Sequence, residues 1–211
     1  MKGVWGRILK VDLTGGTCRL EGWGEEVYRR FMGGAGLVAY TLWRECPRGT
    51  AAFDPENRLI FATGPFQGAR QTGAAKWTAG AISPAIRMNA DSAATASFGI
   101  ELKKAGIDAV VVQGCASTPC YVVIDDDRAE VKAAPDLWGK DAFETEDLIR
   151  DREKAEFECA TIGQAGERLL RYANIQTLKK STLGRSGLGA VMGAKRLKGI
   201  AVRGSQSVPF H

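Results

Sequence analysis

The chain opens with a pattern that predicts an antiparallel hairpin. Apolar and polar residues alternate through Gly6–Leu20, with Thr14-Gly15-Gly16 as the turn between the two runs. Helical periodicity predicts a helix within Glu25–Glu45 and another at Asp141–Lys154. Short strand-like runs bounded by turn residues account for most of the rest, at 59–63, 77–82, 109–113, 120–124, 129–132, 158–162 and 199–202. This order favours antiparallel sheets over the strand–helix alternation of a parallel dinucleotide-binding fold.

Each half of the chain repeats the order hairpin, helix, strands. We therefore predict an α+β fold of two similar α+β subdomains with mainly antiparallel sheets, produced by an internal duplication. The approximate halves are 1–105 and 106–211, within a single domain that covers residues 1–211. The halves show no sequence identity that alone would reveal the duplication.

Several classes of protein are excluded by composition. The only histidine is the terminal His211, which argues against histidine triads and histidine metal sites. The five cysteines form no C-x-x-C pair, so an internal zinc or iron–sulfur site is not expected. No stretch approaches the ~20 apolar residues of a membrane helix, and the first residues lack the apolar core of a signal peptide. These features predict a cytoplasmic protein without a membrane partner.

Glycine is enriched, with 26 residues in 211, against a usual share of about 7%. The glycines cluster at 33–36, 64–80 and 184–193. Glycine permits positive φ and close approach of the backbone to a ligand. Tight turns in a strand-rich fold would explain the same clusters, so both interpretations stay open.

Positive charge is concentrated near the end of the chain. Gly166–His211 contains nine basic residues and one acidic residue, Glu167. Such a segment suits a phosphate, a phosphorylated cofactor, an acidic protein or a nucleic acid, although a solvated basic face is an equal alternative. Nucleic acid is disfavoured because the segment has almost no aromatic residues for base stacking.

Several motifs taken together resemble one family. Two are especially specific, FG-x-ELK-x-AG-x-DA from Phe98 and G-x-GAVMG-x-K-x-LK-x-IAV from Gly187. The chain is similar over nearly its whole length to the N-terminal domain of the aldehyde ferredoxin oxidoreductase family. Further matching segments are Trp5-Gly6-Arg7, Phe31–Cys46, Leu59–Pro65, Ser83-Pro84, Leu137–Lys140 and Ile162–Glu167.

The resemblance implies a function. Members oxidise aldehydes to carboxylic acids with a tungsten- or molybdenum-bis-pterin, and a [4Fe–4S] cluster passes the electrons to ferredoxin. Their N-terminal domain is the base on which the pterins lie, and a magnesium ion bridges the pterin phosphates. Later domains supply the cluster cysteines, which this chain lacks. We therefore expect no catalytic residue and no [4Fe–4S] cluster here, and a chain that works with cluster-binding domains or a partner subunit, and with ferredoxin only indirectly.

The resemblance also implies which residues contact the cofactor. Lys76 stands in a loop, 72–77, where the family commonly has an arginine near the pterin phosphates; an exposed lysine without a ligand is the alternative. In the Asp91–Phe98 segment, Ala93 and Thr95 replace the family's magnesium-binding asparagine and a glycine. Because magnesium prefers oxygen ligands, Asp91, Ser92 or Thr95 would have to substitute.

The third implied contact is the Lys179–Lys195 segment. Thr182 occupies the position of a backbone carbonyl ligand of magnesium in the family. Gly184, Arg185, Ser186 and Gly187 follow as a glycine-rich loop that opens a helix, where backbone N–H groups and Arg185 could hold a phosphate. A glycine turn that packs a helix onto a strand is the alternative interpretation.

Two functional hypotheses therefore remain. The first is a cofactor-base domain of an aldehyde-oxidising enzyme, and the second is a degenerate, cofactor-free structural or interaction subunit. In either case we expect an exposed apolar patch larger than a few hundred Å², covered by a partner or by self-association into a homo-oligomer.

Overall fold

Two six-stranded sheets form the framework of the protein, and the computed structural model describes residues 1–208 of it. The first sheet has the order β2-β1-β6-β3-β4-β5. The predicted N-terminal hairpin is confirmed, since Arg7 pairs with Gly22 and Asp12 with Thr17. The strands are β1 (Arg7–Asp12), β2 (Thr17–Gly22), β3 (Leu59–Ala62), β4 (Lys76–Ile82), β5 (Asn89–Thr95) and β6 (Ala109–Gln113).

The second sheet has the order β11-β10-β9-β12-β7-β8. Read from β8, this is the order of the first sheet with every strand number raised by six. In both sheets one pair is parallel, β1 with β6 and β7 with β12, and the other pairs are antiparallel. The strands are β7 (Cys120–Asp125), β8 (Arg128–Ala133), β9 (Glu158–Thr161), β10 (Ile175–Thr177), β11 (Ser181–Leu183) and β12 (Leu197–Arg203).

The topology confirms the predicted α+β duplication. The change from one sheet to the other falls in the loop 114–119, whereas the sequence placed the division near residue 105. The difference arises because β6 pairs with β1 and β3 and so completes the first sheet. His211 lies outside the described residues.

Within residues 1–208, six α-helices cover and separate the sheets. The segment 25–45 forms two helices because Gly33 and Gly34 interrupt it, with Gly34 at φ +50°. The helices are α1 (Glu25–Phe31), α2 (Ala35–Glu45), α3 (Ser97–Lys104), α4 (Ala142–Glu153), α5 (Gln164–Glu167) and α6 (Leu188–Ala194). No helix in residues 1–208 is long and apolar enough to cross a membrane.

The core is arranged in layers. Helices α3 and α6 lie between the sheets, where Phe98 and Met192 join strand residues such as Phe61 and Ile200 in the largest apolar cluster. Helices α1 and α2 cover the outer face of the first sheet, and α4 covers that of the second. The sheets approach each other at both edges, β2 near β8 and β5 near β11.

Candidate functional site

Two equivalent edge strands, β5 and β11, meet at one end of the molecule. No backbone ladder joins them, but serine hydroxyls link them in both directions. Thr95 N–H donates to Ser181 Oγ at 3.3 Å, and Arg185 N–H donates to Ser92 Oγ at 3.2 Å. Each half thus offers a backbone donor to a side chain of the other, so this junction is built by both halves.

A hollow of 510 Å³ lies at the junction. Strand alternation leaves Asp91, Ala93 and Thr95 exposed on β5, while Ser92 points inward and is 5% exposed. The lining residues are Asp91, Ser92, Ala93, Thr182, Gly184 and Arg185. Most of the predicted site residues are therefore neighbours, although they come from segments about 90 residues apart in the chain.

Lys76 belongs to the same surface. It is the first residue of β4 and pairs directly with Thr95 on β5. Directly paired residues of an antiparallel ladder project their side chains to the same face. Lys76 and Thr95 are both exposed. Lys76 pairs with Thr95 at one end of β5, and Arg185 is hydrogen-bonded to Ser92 nearer the other end, so the two cations lie at opposite ends of this surface. We call this surface the edge site; it comprises Lys76, Asp91, Ser92, Thr95, Thr182, Gly184, Arg185 and Ser186.

The segments that sequence analysis assigned to loops are largely strands. Asp91, Ser92 and Thr95 belong to β5, Thr182 belongs to β11, and Lys76 starts β4. Small residues in 89–95 hid the strand because they lack the β-branched pattern that normally signals one. The strand matters for magnesium, since it controls where the backbone oxygens point.

Backbone oxygens at the edge of β5 face β11. Asp91 O accepts from Ser186 Oγ at 2.9 Å, and Thr95 N–H faces Ser181, so these residues direct their backbone groups toward β11. By the two-residue period of a strand, the Ala93 carbonyl points the same way, although its methyl side chain cannot bind a metal. Residues 1–208 hold no group of three or more His, Cys, Asp or Glu side chains suited to a metal. A magnesium ion here would therefore rely on backbone, Asp91 or Thr182 oxygens together with phosphate.

Backbone donors on both sides of the loop before α6 form hydrogen bonds within the protein. Arg185 N–H is used by Ser92, and Gly189 N–H donates to Ala173 O at 3.0 Å. These donors are engaged because the loop packs against the first half and α6 packs against residues 173–174. The exposed Arg185 side chain adds a cation at this loop that can bind an anion with charge-assisted hydrogen bonds.

Sequence analysis missed two residues that shape the edge site, Ser181 and Ser83. Ser83 Oγ donates to Ser186 O at 2.7 Å from the end of β4. In the sequence, Ser83-Pro84 ends a strand-like run and matches the family, but neither feature assigns a contact to the Ser83 hydroxyl. A lone serine in a strand-rich chain carries no signal for a contact 103 residues away.

The basic segment does not form one continuous cationic face. Lys195 and Lys198 are buried, and Lys198 pairs with Glu167. Lys179 pairs with Asp147 and Arg203 with Asp125. Several of these basic side chains are therefore buried or paired with acidic residues of the same chain. Arg185 is an exposed cation at the junction of β5 and β11.

A second hollow, of 1050 Å³, lies between the loop after β3 and the two ends of the described chain. Phe66 and Met32 are 64% and 62% exposed there, and Arg70 and Lys104 stand among the lining residues. We call it the apolar groove; its apolar lining comprises Met1, Met32, Pro65, Phe66, Ile100 and Val208. Exposed large apolar residues grouped in this way are typical of a surface that another protein segment covers.

Comparison with known proteins agrees with this architecture. Residues 8–204 match the N-terminal domain of aldehyde ferredoxin oxidoreductase. The tungsten-containing aldehyde ferredoxin oxidoreductases of Pyrococcus furiosus and Thermococcus kodakarensis are each 40% identical over the whole chain, which spans 35% of their length. An aliphatic sulfonate oxidoreductase, WOR-like subunit, of Pyrococcus furiosus is 34% identical over 97% of the chain and 35% of its own length.

A solved structure is also similar. It is the active site complex BamBC of benzoyl coenzyme A reductase in complex with 1,5-dienoyl-CoA, with a TM-score of 0.95 and 35% identity over 98% of this chain and 32% of that chain. The chain thus corresponds to about a third of each of these proteins. It belongs to the aldehyde ferredoxin oxidoreductase family and corresponds to the family's N-terminal domain.

Proposed function

We propose that this chain is the base on which the bis-pterin cofactor of an aldehyde ferredoxin oxidoreductase-like enzyme lies. The observation that carries the proposal is the edge site, where equivalent strands of the two halves meet beside the exposed cations Lys76 and Arg185. A cofactor with two similar pterins, each bearing a phosphate, suits a surface to which two similar halves contribute.

The residues of the edge site suit this ligand. Lys76 and Arg185 would neutralise the pterin phosphates, and Arg185 can bind phosphate with two parallel hydrogen bonds. Asp91, Thr182 and the Ala93 carbonyl provide the oxygen ligands that a phosphate-bound magnesium ion prefers. The buried Ser92 binds the Arg185 backbone instead of the ligand and so orients the loop.

The division of labour follows from this arrangement. When bound, the tungsten- or molybdenum-bis-pterin supplies the two-electron oxidation of an aldehyde to a carboxylate, with electrons leaving through a [4Fe–4S] cluster held elsewhere. This chain provides charge neutralisation and a surface fixed by hydrogen bonds between its halves. The aldehyde is part of the proposal, since proteins of comparable identity are named an aliphatic sulfonate oxidoreductase and a benzoyl-CoA reductase.

The partner in this proposal is the remaining part of the enzyme, as further domains or as a separate subunit. The relatives are about three times as long as the matched segment. The apolar groove provides a surface for such a partner, with the exposed Phe66 and Met32 in its lining. Self-association through the same groove is the outcome expected when the partner is absent.

The experiment is cofactor retention in the assembled enzyme with Lys76→Ala and Arg185→Ala combined. Losing two charge-assisted contacts should weaken retention on the order of a hundredfold. Because both side chains are exposed, the thermal unfolding temperature should stay unchanged. The measurement is tungsten and molybdenum per protein by elemental analysis. The double variant Arg48→Ala with Arg128→Ala removes the same charge from exposed positions outside the edge site and should retain the metal.

Metal content unchanged in the Lys76/Arg185 variant would contradict the assigned roles. The alternative, a cofactor-free subunit, has its own support, since Ala93 and Thr95 depart from the family pattern. A wild-type assembly that contains neither tungsten nor molybdenum would establish that alternative.

A further inference from the structure

A fully buried hydroxyl of the first half holds the Arg185 loop of the second. Ser83 is 0% exposed and lies directly after β4. Its Oγ donates to Ser186 O at 2.7 Å and accepts from Ala85 N–H at 3.1 Å and Ile86 N–H at 3.3 Å. One donor and two acceptor positions use the full capacity of a hydroxyl. The contact to Ser186 is thus one end of a saturated buried network.

The loop held by Ser83 has a conformation that requires a restraint. Ser186 has φ +68° and Gly187 has φ +66°, two successive left-handed residues. This conformation is strained for a residue with a Cβ, such as Ser186. Gly187 is packed so closely that an added Cβ would lie 2.0 Å from Arg171 O and 2.9 Å from Pro84 Cγ. Contacts from outside the loop therefore keep Ser186 left-handed.

The restraints on residues 185 and 186 come from the first half of the molecule. Ser186 O is bound by Ser83, Ser186 Oγ donates to Asp91 O, and Arg185 N–H donates to Ser92 Oγ. We call Ser83, Ser92 and Ser186 the serine clasp. Because a peptide group is planar, fixing the Ser186 carbonyl also fixes the direction of the Gly187 N–H. The first half thereby sets the backbone from which the Arg185 side chain projects.

We propose that Ser83 is a positioning residue that places Arg185 in the edge site from the opposite half. The proposal rests on the proposed function, in which Arg185 meets an anionic phosphate. Ser83 does not touch that ligand; it acts through Ser186. Anion affinity at the edge site then depends on a buried side chain that lies outside the surface.

The test uses Ser83→Ala in this chain, with Thr161→Val as the matched control. Thr161 is also fully buried, and its hydroxyl donates to Ala142 O at 3.0 Å, away from the edge site. Amide hydrogen exchange of residues 184–187 should accelerate about tenfold in Ser83→Ala, because the loop loses a buried hydrogen bond. Thr161→Val should leave that exchange unchanged.

A second readout is the shift of the Arg185 and Ser186 amide NMR signals on titration with inorganic phosphate. Ser83→Ala should weaken the apparent phosphate affinity several-fold relative to both the wild type and Thr161→Val. If Ser83→Ala does not fold, Ser83→Cys keeps a buried side chain of similar size but replaces the hydroxyl that binds Ser186 O with a weak S–H donor, and it should show the same two effects in weaker form.

The outcomes separate this inference from the proposed function. Unchanged exchange at 184–187 in Ser83→Ala would overturn the positioning role whatever the titration gives. Accelerated exchange with equal phosphate affinity in all variants would also overturn it, because the clasp would then be structural only. A wild-type protein whose Arg185 signal ignores phosphate would contradict the proposed anion site itself.

Discussion

The two halves of the molecule share a strand order but differ in the sign of a buried charge. In each, a fully buried charged residue lies where a strand enters a parallel ladder: Asp108 stands directly before β6, which pairs with β1, and Lys198 is the second residue of β12, which pairs with β7. In the first half that residue is Asp108, which pairs with Lys103 at 2.5 Å. In the second half the same position holds Lys198, which pairs with Glu167. The location of the buried charge is kept while its sign is reversed.

The reversal follows from the backbone that each charge must satisfy. Asp108 accepts the N–H groups of Gly6 and Trp5, at 2.7 and 3.0 Å, where the chain enters β1. Lys198 instead donates to the Lys140 carbonyl at 2.7 Å before α4. Buried backbone groups need partners, and an anion suits donors whereas a cation suits an acceptor. The two halves therefore share their strand pairing, whereas the sign of the buried charge depends on whether the nearby backbone groups are donors or acceptors.

The turns that lead into β6 and β12 also share a backbone conformation but differ in their side chains. Gly106 and Arg196 stand three residues before the paired residues Ala109 and Gly199, and both are left-handed, at φ +78° and +55°. The residues before them, Ala105 and Lys195, are both buried. The same backbone turn is therefore built from different side chains.

The largest expected effect comes from neutralising one partner of a buried pair. Asp108→Asn should lower the free energy of unfolding by about 3–5 kcal/mol, because Lys103 is left as an uncompensated buried charge. Adding Lys103→Met should recover most of that loss. Urea unfolding at pH 7 measures the free energy of unfolding of the single and double variants. Glu167→Gln, alone and with Lys198→Met, is the matched set in the second half. If the losses of the single variants simply add in the double variants, the two buried charges do not stabilise each other.

An intermediate effect is expected at the left-handed turns. Gly106→Ala should lower the free energy of unfolding by about 1–2 kcal/mol, because alanine is strained at positive φ. Arg196→Gly relieves that strain but loses the guanidinium hydrogen bonds to Ala116 O and Ser117 O, so its net effect should stay within about 1 kcal/mol. Thermal unfolding measures the stability of both variants. If they lose equal stability, glycine does not relieve strain at position 196, and the two turns are not equivalent.

The smallest effect is the pH dependence of Lys195. Burial, with Arg58 nearby, lowers the pKa of Lys195 to about 8 from an ordinary 10.5. The folded state therefore releases this proton at lower pH than the unfolded chain, and its contribution to stability rises as pH increases from about 8 to 10.5. Relative to Lys195→Met, the wild type should gain about 1 kcal/mol between pH 7 and pH 9. A constant difference across that range would show that the buried lysine is not perturbed.

Much of the fold was predictable from sequence because its local signals agree. The hairpin β1–β2 has alternating residues around a glycine turn, and β6 is the apolar run AVVVQ. The division between the halves was not predictable, because Ala109–Gln113 reads equally well as a strand of either sheet. Its parallel pairing with β1 is a long-range contact that leaves no local pattern.

The edge site was predictable only through family resemblance. Lys76 and Arg185 carry charge, but nothing local in the sequence brings them to one surface. Their proximity depends on the β4–β5 register, which pairs Lys76 with Thr95, and on the serine contacts between β5 and the Arg185 loop. Ser83 was missed because its partner is the backbone of a residue in the other half.

The most direct test of the central claim is to locate the cofactor in a crystal structure of the assembled enzyme, with tungsten placed by anomalous scattering. We expect a tungsten signal over the junction of β5 and β11. We also expect pterin phosphate oxygens at about 3 Å from the Lys76 ammonium and the Arg185 guanidinium. A bis-pterin seated elsewhere, with Lys76 and Arg185 both in solvent, would contradict the claim that the two halves build the cofactor surface together.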